Sequence, residues 1–141
     1  MKTFFEQYLP ALPALLHAAL LALLSAAIPL SMTYTSTILA VDSSNQIIRE
    51  PSLDDCAKAK SQHVLAFSSK GHLLLSESQG SFDFDTWDRV YEQALSICRQ
   101  LKTAGQDGDI TMEAKHNLEN FVRETVEHKI ASEYTWSDTA A

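Results

Sequence analysis

A chain of 141 residues, 45% apolar and 21% charged, has the size and make-up of one globular domain or less. Its net charge of −7 argues against a stand-alone nucleic-acid binder, because phosphate contact needs Lys and Arg. It leaves open a subunit that meets RNA through a complex. The two cysteines, Cys56 and Cys98, form no ligand cluster and fit free thiols in a reducing compartment. The chain carries no repeat, Gly-rich phosphate loop, low-complexity tract or Gly-x-Ser-x-Gly motif.

Residues 1–12 open with Phe4, Phe5 and Tyr8 and read as a remnant strand or irregular start. Residues 13–27 are almost entirely Ala and Leu, the best helix formers, with Pro13 suited to the first turn. Pro29 is the expected stop. Such a run is apolar on every side, so it is buried either in a protein or in a membrane. A spanning helix needs roughly 20 apolar residues. The stretch from Leu9 to Leu30 is long enough, but the stretch between its prolines is shorter, and His17 sits inside it. Lys2 is cancelled by Glu6, and no basic cluster follows Leu30 to fix an orientation. The leading expectation is a core helix with sheet on one side and further structure on the other. A membrane-anchored or secreted protein, with 9–30 as its apolar segment, is the alternative.

Residues 32–41 are β-branched and aromatic, and a turn cluster at 42–45 leads to a short returning strand at 46–50, ended by Pro51. Residues 52–61 read as a connecting loop with one helical turn. Residues 62–68 and 72–76 read as a second hairpin about the turn Ser69-Lys70-Gly71. Asp85 is the expected N-cap of a helix over 86–102, with Asp88 in the capping-box position. Trp87, Val90, Tyr91, Ala94, Leu95, Ile97, Cys98 and Leu101 form its apolar face. Gly105 and Gly108 mark a linker. A last amphipathic helix is expected over 111–133, with Leu118, Phe121, Val122, Thr125, Val126, Lys129 and Ile130 in one stripe and a disordered tail beyond. Its mixed, mildly acidic charge favours packing on its own domain or a partner over a lipid surface. Helix, hairpin, hairpin, helix and extra helix make an α+β chain, an antiparallel sheet covered by helices.

This order and these strings resemble the C-terminal half of the RNase PH-like fold (ribosomal protein S5 domain 2-like), over 15–101. The carriers are His17-Ala-Ala-Leu-Leu-Ala-Leu-Leu-Ser-Ala-Ala-Ile-Pro-Leu30, the strands at 34–41 and 46–49, Glu50-Pro51, Val64-Leu-Ala-Phe67, Leu73-Leu-Leu75, Ser78-Gln79-Gly80 and the amphipathic helix after them. Ser25-Ala26-Ala27-Ile28-Pro29 stands where the family usually has Asp-Ala-Gly before an apolar-Pro pair. The likeness is strongest to non-catalytic RNase PH-type ring subunits of the eukaryotic RNA exosome. It implies three parts: 1–12 a remnant, 13–104 a partial RNase PH-like domain, and 105–141 a linker and C-terminal helix. It also implies that about half the family's domain would stand upstream of the core helix, covering faces that a lone fragment exposes.

Active members of the family place an Arg and a small-residue phosphate loop just before the core helix. Leu9-Pro10-Ala11-Leu12 occupies that place here and offers no cation. Active members also carry two Asp residues six apart between the hairpins, for general-acid or metal work. The counterparts are Asp55 and Ser61, and Ser61 neither ionises nor holds a metal. The resemblance therefore implies a structural and RNA-path subunit with no catalytic residues, no cofactor and no metal. Its partners would be the other RNase PH-like ring subunits and RNA through the assembled complex, with no membrane contact. It would take part in 3′–5′ RNA processing and degradation, including rRNA processing and mRNA turnover, in the nucleus, nucleolus and cytoplasm. A phosphate-dependent 3′–5′ exoribonuclease of the RNase PH type is the first alternative.

Lys58, Lys60 and Lys70 are the candidate RNA contacts, against three ordinary solvated lysines. Asp54 and Asp55 as a metal pair compete with a solvated turn. His17 is expected as a neutral core residue bonded to a backbone carbonyl, far from His63 and His72, while His116 and His128 lie too far apart on one helix to share a metal. Cys56 as a nucleophile, activated by Lys58 and Lys60, competes with a free surface thiol.

Overall fold

The computed structural model describes residues 8–99 and 118–133. A single 3-10 turn, Leu9–Ala11, leads into α1, Leu12–Ser25. Strands β1 (Tyr34–Val41) and β2 (Ile47–Arg49) follow, then a short helix α2 (Leu53–Lys58). Strands β3 (Ser61–Ser68) and β4 (Leu73–Gly80) precede helices α3 (Phe84–Arg99) and α4 (Leu118–Glu133). The expected element order holds. The expectations for 1–7, for the end of the third helix at Leu101 and Lys102, for the Gly105–Gly108 linker, for the start of the last helix at 111–117 and for the tail beyond Glu133 fall outside the described residues.

The two hairpins join into one antiparallel sheet in the order β2-β1-β3-β4. Its spine is β1 against β3, in register from Tyr34 opposite Ser68 to Val41 opposite Ser61. Side chains alternate across a strand, so the register divides the core in two. Leu39, Val41, Leu65 and Phe67 turn to one face, where Val90, Ala94 and Cys98 of α3 close over them. The Thr35 hydroxyl donates to the Cys98 carbonyl on that same side (3.1 Å). Ala40, Val64 and Ala66 are buried on the opposite face, the side of α1. There the Tyr34 hydroxyl donates to the Leu16 carbonyl (2.7 Å). Val90, Ala94 and Cys98 of the expected α3 stripe are buried, joined by Thr86, which the periodicity left out.

The core helix is less enclosed than expected. Leu20 is its one buried residue, and Ala14, Leu15, Ala18, Ala19 and Ala22 face outward, with Leu15 62% exposed. Sheet covers one side, and α4 meets its C-terminal end, where Leu21 and Leu24 face Val126, Lys129 and Ile130 across a shallow groove. The last helix keeps less of its stripe inside than its periodicity promised. Val122 is buried, while Phe121 and Ile130 are exposed.

His17 has a different bond from the expected one. Its Nε2 accepts the Ser36 backbone N–H (3.0 Å), an amide on the stretch of β1 that β2 leaves unpaired. An accepting Nε2 requires the neutral ring with its proton on Nδ1, and burial pushes the pKa below the ordinary histidine value.

The end of α1 also differs from the expected proline stop. The helix closes before Pro29 in a Schellman turn: the Ala27 N–H donates to the Leu24 carbonyl (3.1 Å) and the Ile28 N–H to the Leu23 carbonyl (3.2 Å). Ala27 takes the left-handed position, φ 53°, where glycine is the usual residue. The start of α3 needs a second correction. Its cap is Asp83, whose carboxylate accepts the Thr86 N–H (2.9 Å), and Asp85 lies inside the first turn.

A left-handed alanine costs about 1 kcal/mol relative to glycine. Ala27→Gly is expected to stabilise the chain by about that amount, offset in part by the extra freedom of glycine in the unfolded chain. Equilibrium urea unfolding checks it: an unchanged or lower midpoint would show that the turn is not held as described.

Candidate functional site

The residues singled out by sequence gather around α2 and the start of β3. Ser52 caps α2 in a capping box. Its hydroxyl oxygen accepts the Asp55 N–H (3.2 Å), and Asp55 Oδ2 accepts both the Ser52 N–H (3.0 Å) and the Ser52 hydroxyl (2.7 Å). The single helical turn expected within 52–61 is a six-residue helix, and the Asp55 carboxylate is its N-terminal fastening. Those bonds, the Ser52 hydroxyl foremost, hold Asp55 below the usual carboxylate range.

Ser61 is the first residue of β3, 2% exposed, and its hydroxyl lies 2.9 Å from His63 Nε2. His63 Nδ1 lies 2.8 Å from the Ser78 hydroxyl on β4, and the Phe82 ring meets the imidazole edge-on at 4.7 Å. Ser61 and Asp55 are therefore tied into separate networks. Sequence reading missed the Ser61–His63–Ser78 chain. The signal was present: Ser61 and His63 are two apart on a strand and share a face.

Between α2 and the sheet lies an open cleft of about 400 Å³ walled by Pro10, Leu53, Cys56, Ala57, Gln62 and Gln79. Gln62 Nε2 donates to the Cys56 carbonyl (2.6 Å); its Oε1 is buried without a hydrogen-bond partner among the described residues. Gly80 closes the far wall at φ 102°, and a Cβ there would meet the Ser61 Cα at 2.7 Å, so only glycine fits. The Cys56 thiol is buried. Burial first, and the Asp55 charge second, push its pKa up, the reverse of the activation by Lys58 and Lys60 that the sequence allowed. It is not the surface thiol that the sequence suggested.

The three lysines do not form one patch. Lys60 donates from Nζ to Asn45 Oδ1 (3.3 Å) and Lys58 is exposed in the last turn of α2. Lys70 sits in the β3–β4 turn, beyond the other end of a strand that spans roughly 25 Å. Asp54 is exposed. Among the described residues no group of three or more His, Cys, Asp and Glu is placed to hold a metal ion, and no helix is long and apolar enough to cross a membrane.

Burial lowers the His63 pKa from 6.5 to about 4. A folded-state pKa below the unfolded one means that the unfolded chain takes up the proton first. Stability is therefore full above pH 6.5, declines as pH falls towards 4, and loses roughly 3 kcal/mol over that window. Urea midpoints measured from pH 7.5 to 4 should fall accordingly, and His63→Gln should flatten much of the slope. A slope unchanged in the variant would place the titrating group elsewhere.

No family model and no curated protein matches the sequence. Solved structures do match. The crystal structure of rice (Oryza sativa) Rrp46 superposes with a TM-score of 0.61 at 22% identity, over 82% of this chain and 47% of that one. The chain thus spans about half the length of the rice protein. At this identity the likeness establishes the fold: a four-stranded antiparallel sheet with helices, RNase PH-like, as the sequence resemblance implied.

Proposed function

We propose that this chain acts as a non-catalytic, structural subunit of an RNase PH-like exosome ring, the class of assembly to which Rrp46 belongs. The observation that carries the reading is the engagement of Asp55 and Ser61. One carboxylate is spent on a helix cap, and the hydroxyl in the second acid's place is bound to a buried imidazole. Phosphorolysis needs charge stabilisation at the attacked phosphate, and neither residue supplies it. Leu9-Pro10-Ala11-Leu12, where an Arg and a phosphate loop would stand, forms a 3-10 turn and the start of α1 without a cation.

The subunit's contribution is surface. The outer Ala and Leu face of α1 leaves water when a partner covers it, and each Leu so buried contributes about 2 kcal/mol. RNA would reach the chain through the ring, with Lys58 and Lys60 at one end of β3 and Lys70 at the other as separate phosphate contacts. The processes served would be 3′–5′ RNA processing and degradation, including rRNA maturation and mRNA turnover. The sites of action would be the nucleus, nucleolus and cytoplasm. In the proposed layout residues 13–104 form the ring-building part and 105–141 an appended linker and helix.

Affinity purification of the tagged chain from its native cells, followed by mass spectrometry, tests this. The expected result is recovery of other RNase PH-like ring subunits in near-equal amounts. Chaperones alone, or membrane proteins in their place, would contradict it. Phosphate-dependent shortening of RNA by the purified chain would overturn the non-catalytic assignment.

A further inference from the structure

The N-terminal half of α3 carries a feature that reaches beyond the core and that the ring reading does not use. Phe84, Trp87 and Tyr91 form a ladder of rings along one line of the helix. Tyr91 is anchored edge-on against the buried Phe67 at 5.4 Å. Trp87 stacks on Tyr91 at 5.5 Å and 28°, and Phe84 on Trp87 at 6.4 Å and 27°. The ladder thus runs from the core to the surface, where Phe84 is 78% exposed. A large aromatic ring left this open gains nothing in folding from its exposed face.

Beside the rings runs a second line one residue further on. Asp85, Asp88 and Glu92 are all exposed, at the same i, i+3, i+7 spacing as the rings. Among the described residues none of the three forms an ion pair. Ring faces next to unpaired carboxylates are complementary to a planar cation. An arginine guanidinium stacks on an aromatic face and bonds a carboxylate through its fork, whereas the ammonium of lysine does not stack in this way. The same carboxylates repel phosphate, so an RNA strand stacking its bases here would meet an opposing field.

We propose that the Phe84–Trp87 end of α3 is a docking surface for an arginine-bearing segment of a partner protein. The guanidinium lies on the open Phe84 face and pairs with Asp85 or Asp88, and apolar neighbours of that arginine cover Trp87. This does not rest on the ring reading. Co-purification can fail while the surface still binds, and the reverse also holds.

The test uses the full chain and a fluorescent twelve-residue peptide of alternating Arg and Ala, read by polarisation at physiological salt. The peptide should bind saturably. Phe84→Ala and the double variant Asp85→Asn with Asp88→Asn should each weaken it at least tenfold, and Phe84→Tyr should restore most of the affinity. A Lys-for-Arg peptide should bind several-fold more weakly, and a uridine 12-mer should not compete. All these substitutions change exposed side chains, so folding is preserved. Equal affinity of the chain and its variants would overturn the proposal, as would equal affinity for the Lys peptide. Absence of binding, or competition by the uridine 12-mer that Phe84→Ala abolishes, would overturn it as well.

Discussion

The antiparallel pairing of β1 with β3 is the constraint on which the other elements depend. Eight residues of each strand face one another without a slip, from Tyr34 and Ser68 to Val41 and Ser61. A shift of one residue would exchange the two faces of the strand. It would send Leu65 and Phe67 away from α3 and bring Val64 and Ala66 under it. Burial on both faces thus fixes the register, and the register sets what each helix meets. Ser61 and His63 share one face of β3 because they alternate with Gln62, and at the start of the strand both Ser61 and Gln62 border the cleft. The same alternation separates the buried imidazole network from the capped Asp55.

The α1 side of the sheet is the less filled one. The α3 face carries Leu39, Val41, Leu65 and Phe67, whereas the α1 face carries Ala40, Val64 and Ala66. Small side chains let α1 approach closely but bury little area, so polar fastenings add to the hold. The His17–Ser36 bond satisfies an amide that has no strand beside it, and the Tyr34 hydroxyl ties into the helix backbone. An unmet buried amide would cost about 1–3 kcal/mol, so this single histidine secures the unpaired edge of β1. What remains exposed on α1 is a contiguous Ala and Leu surface. That is the physical basis for reading the chain as an assembling part.

Much of the fold was legible because its signals are local and periodic. The stripe of α3, the β-branched run of β1 and the turn at 42–45 each follow from spacing and turn chemistry. In that turn Asp42 accepts from both Ser44 and Gln46. The helix ends were less legible. Ala27 gives no sign of a left-handed turn, because its composition looks like more helix. Asp85 was the expected cap, but the helix starts at Phe84 and Asp83 accepts the Thr86 N–H in its place. The Ala-Leu run showed that α1 would want burial, but not how little of it the described residues supply. At the candidate site, sequence gave the residues without their engagements. Asp55 is a cap because 53–58 is a helix where a loop with one turn was expected, and Ser61 meets His63 because β3 starts one residue earlier than expected.

The central claim is that β3, paired on both sides and buried on both faces, is the stable core from which α1, α2 and α3 are positioned. Amide hydrogen exchange of the full chain, resolved by residue, tests it most directly. The account predicts that Val64 to Phe67 exchange slowest, together with Leu39 to Val41, at rates set by unfolding of the whole domain, while β2, α4 and the outer edge of β4 open earlier. Exchange in β3 as fast as in β2 or α4 would contradict it, because no two-faced sheet core would then hold the helices in place.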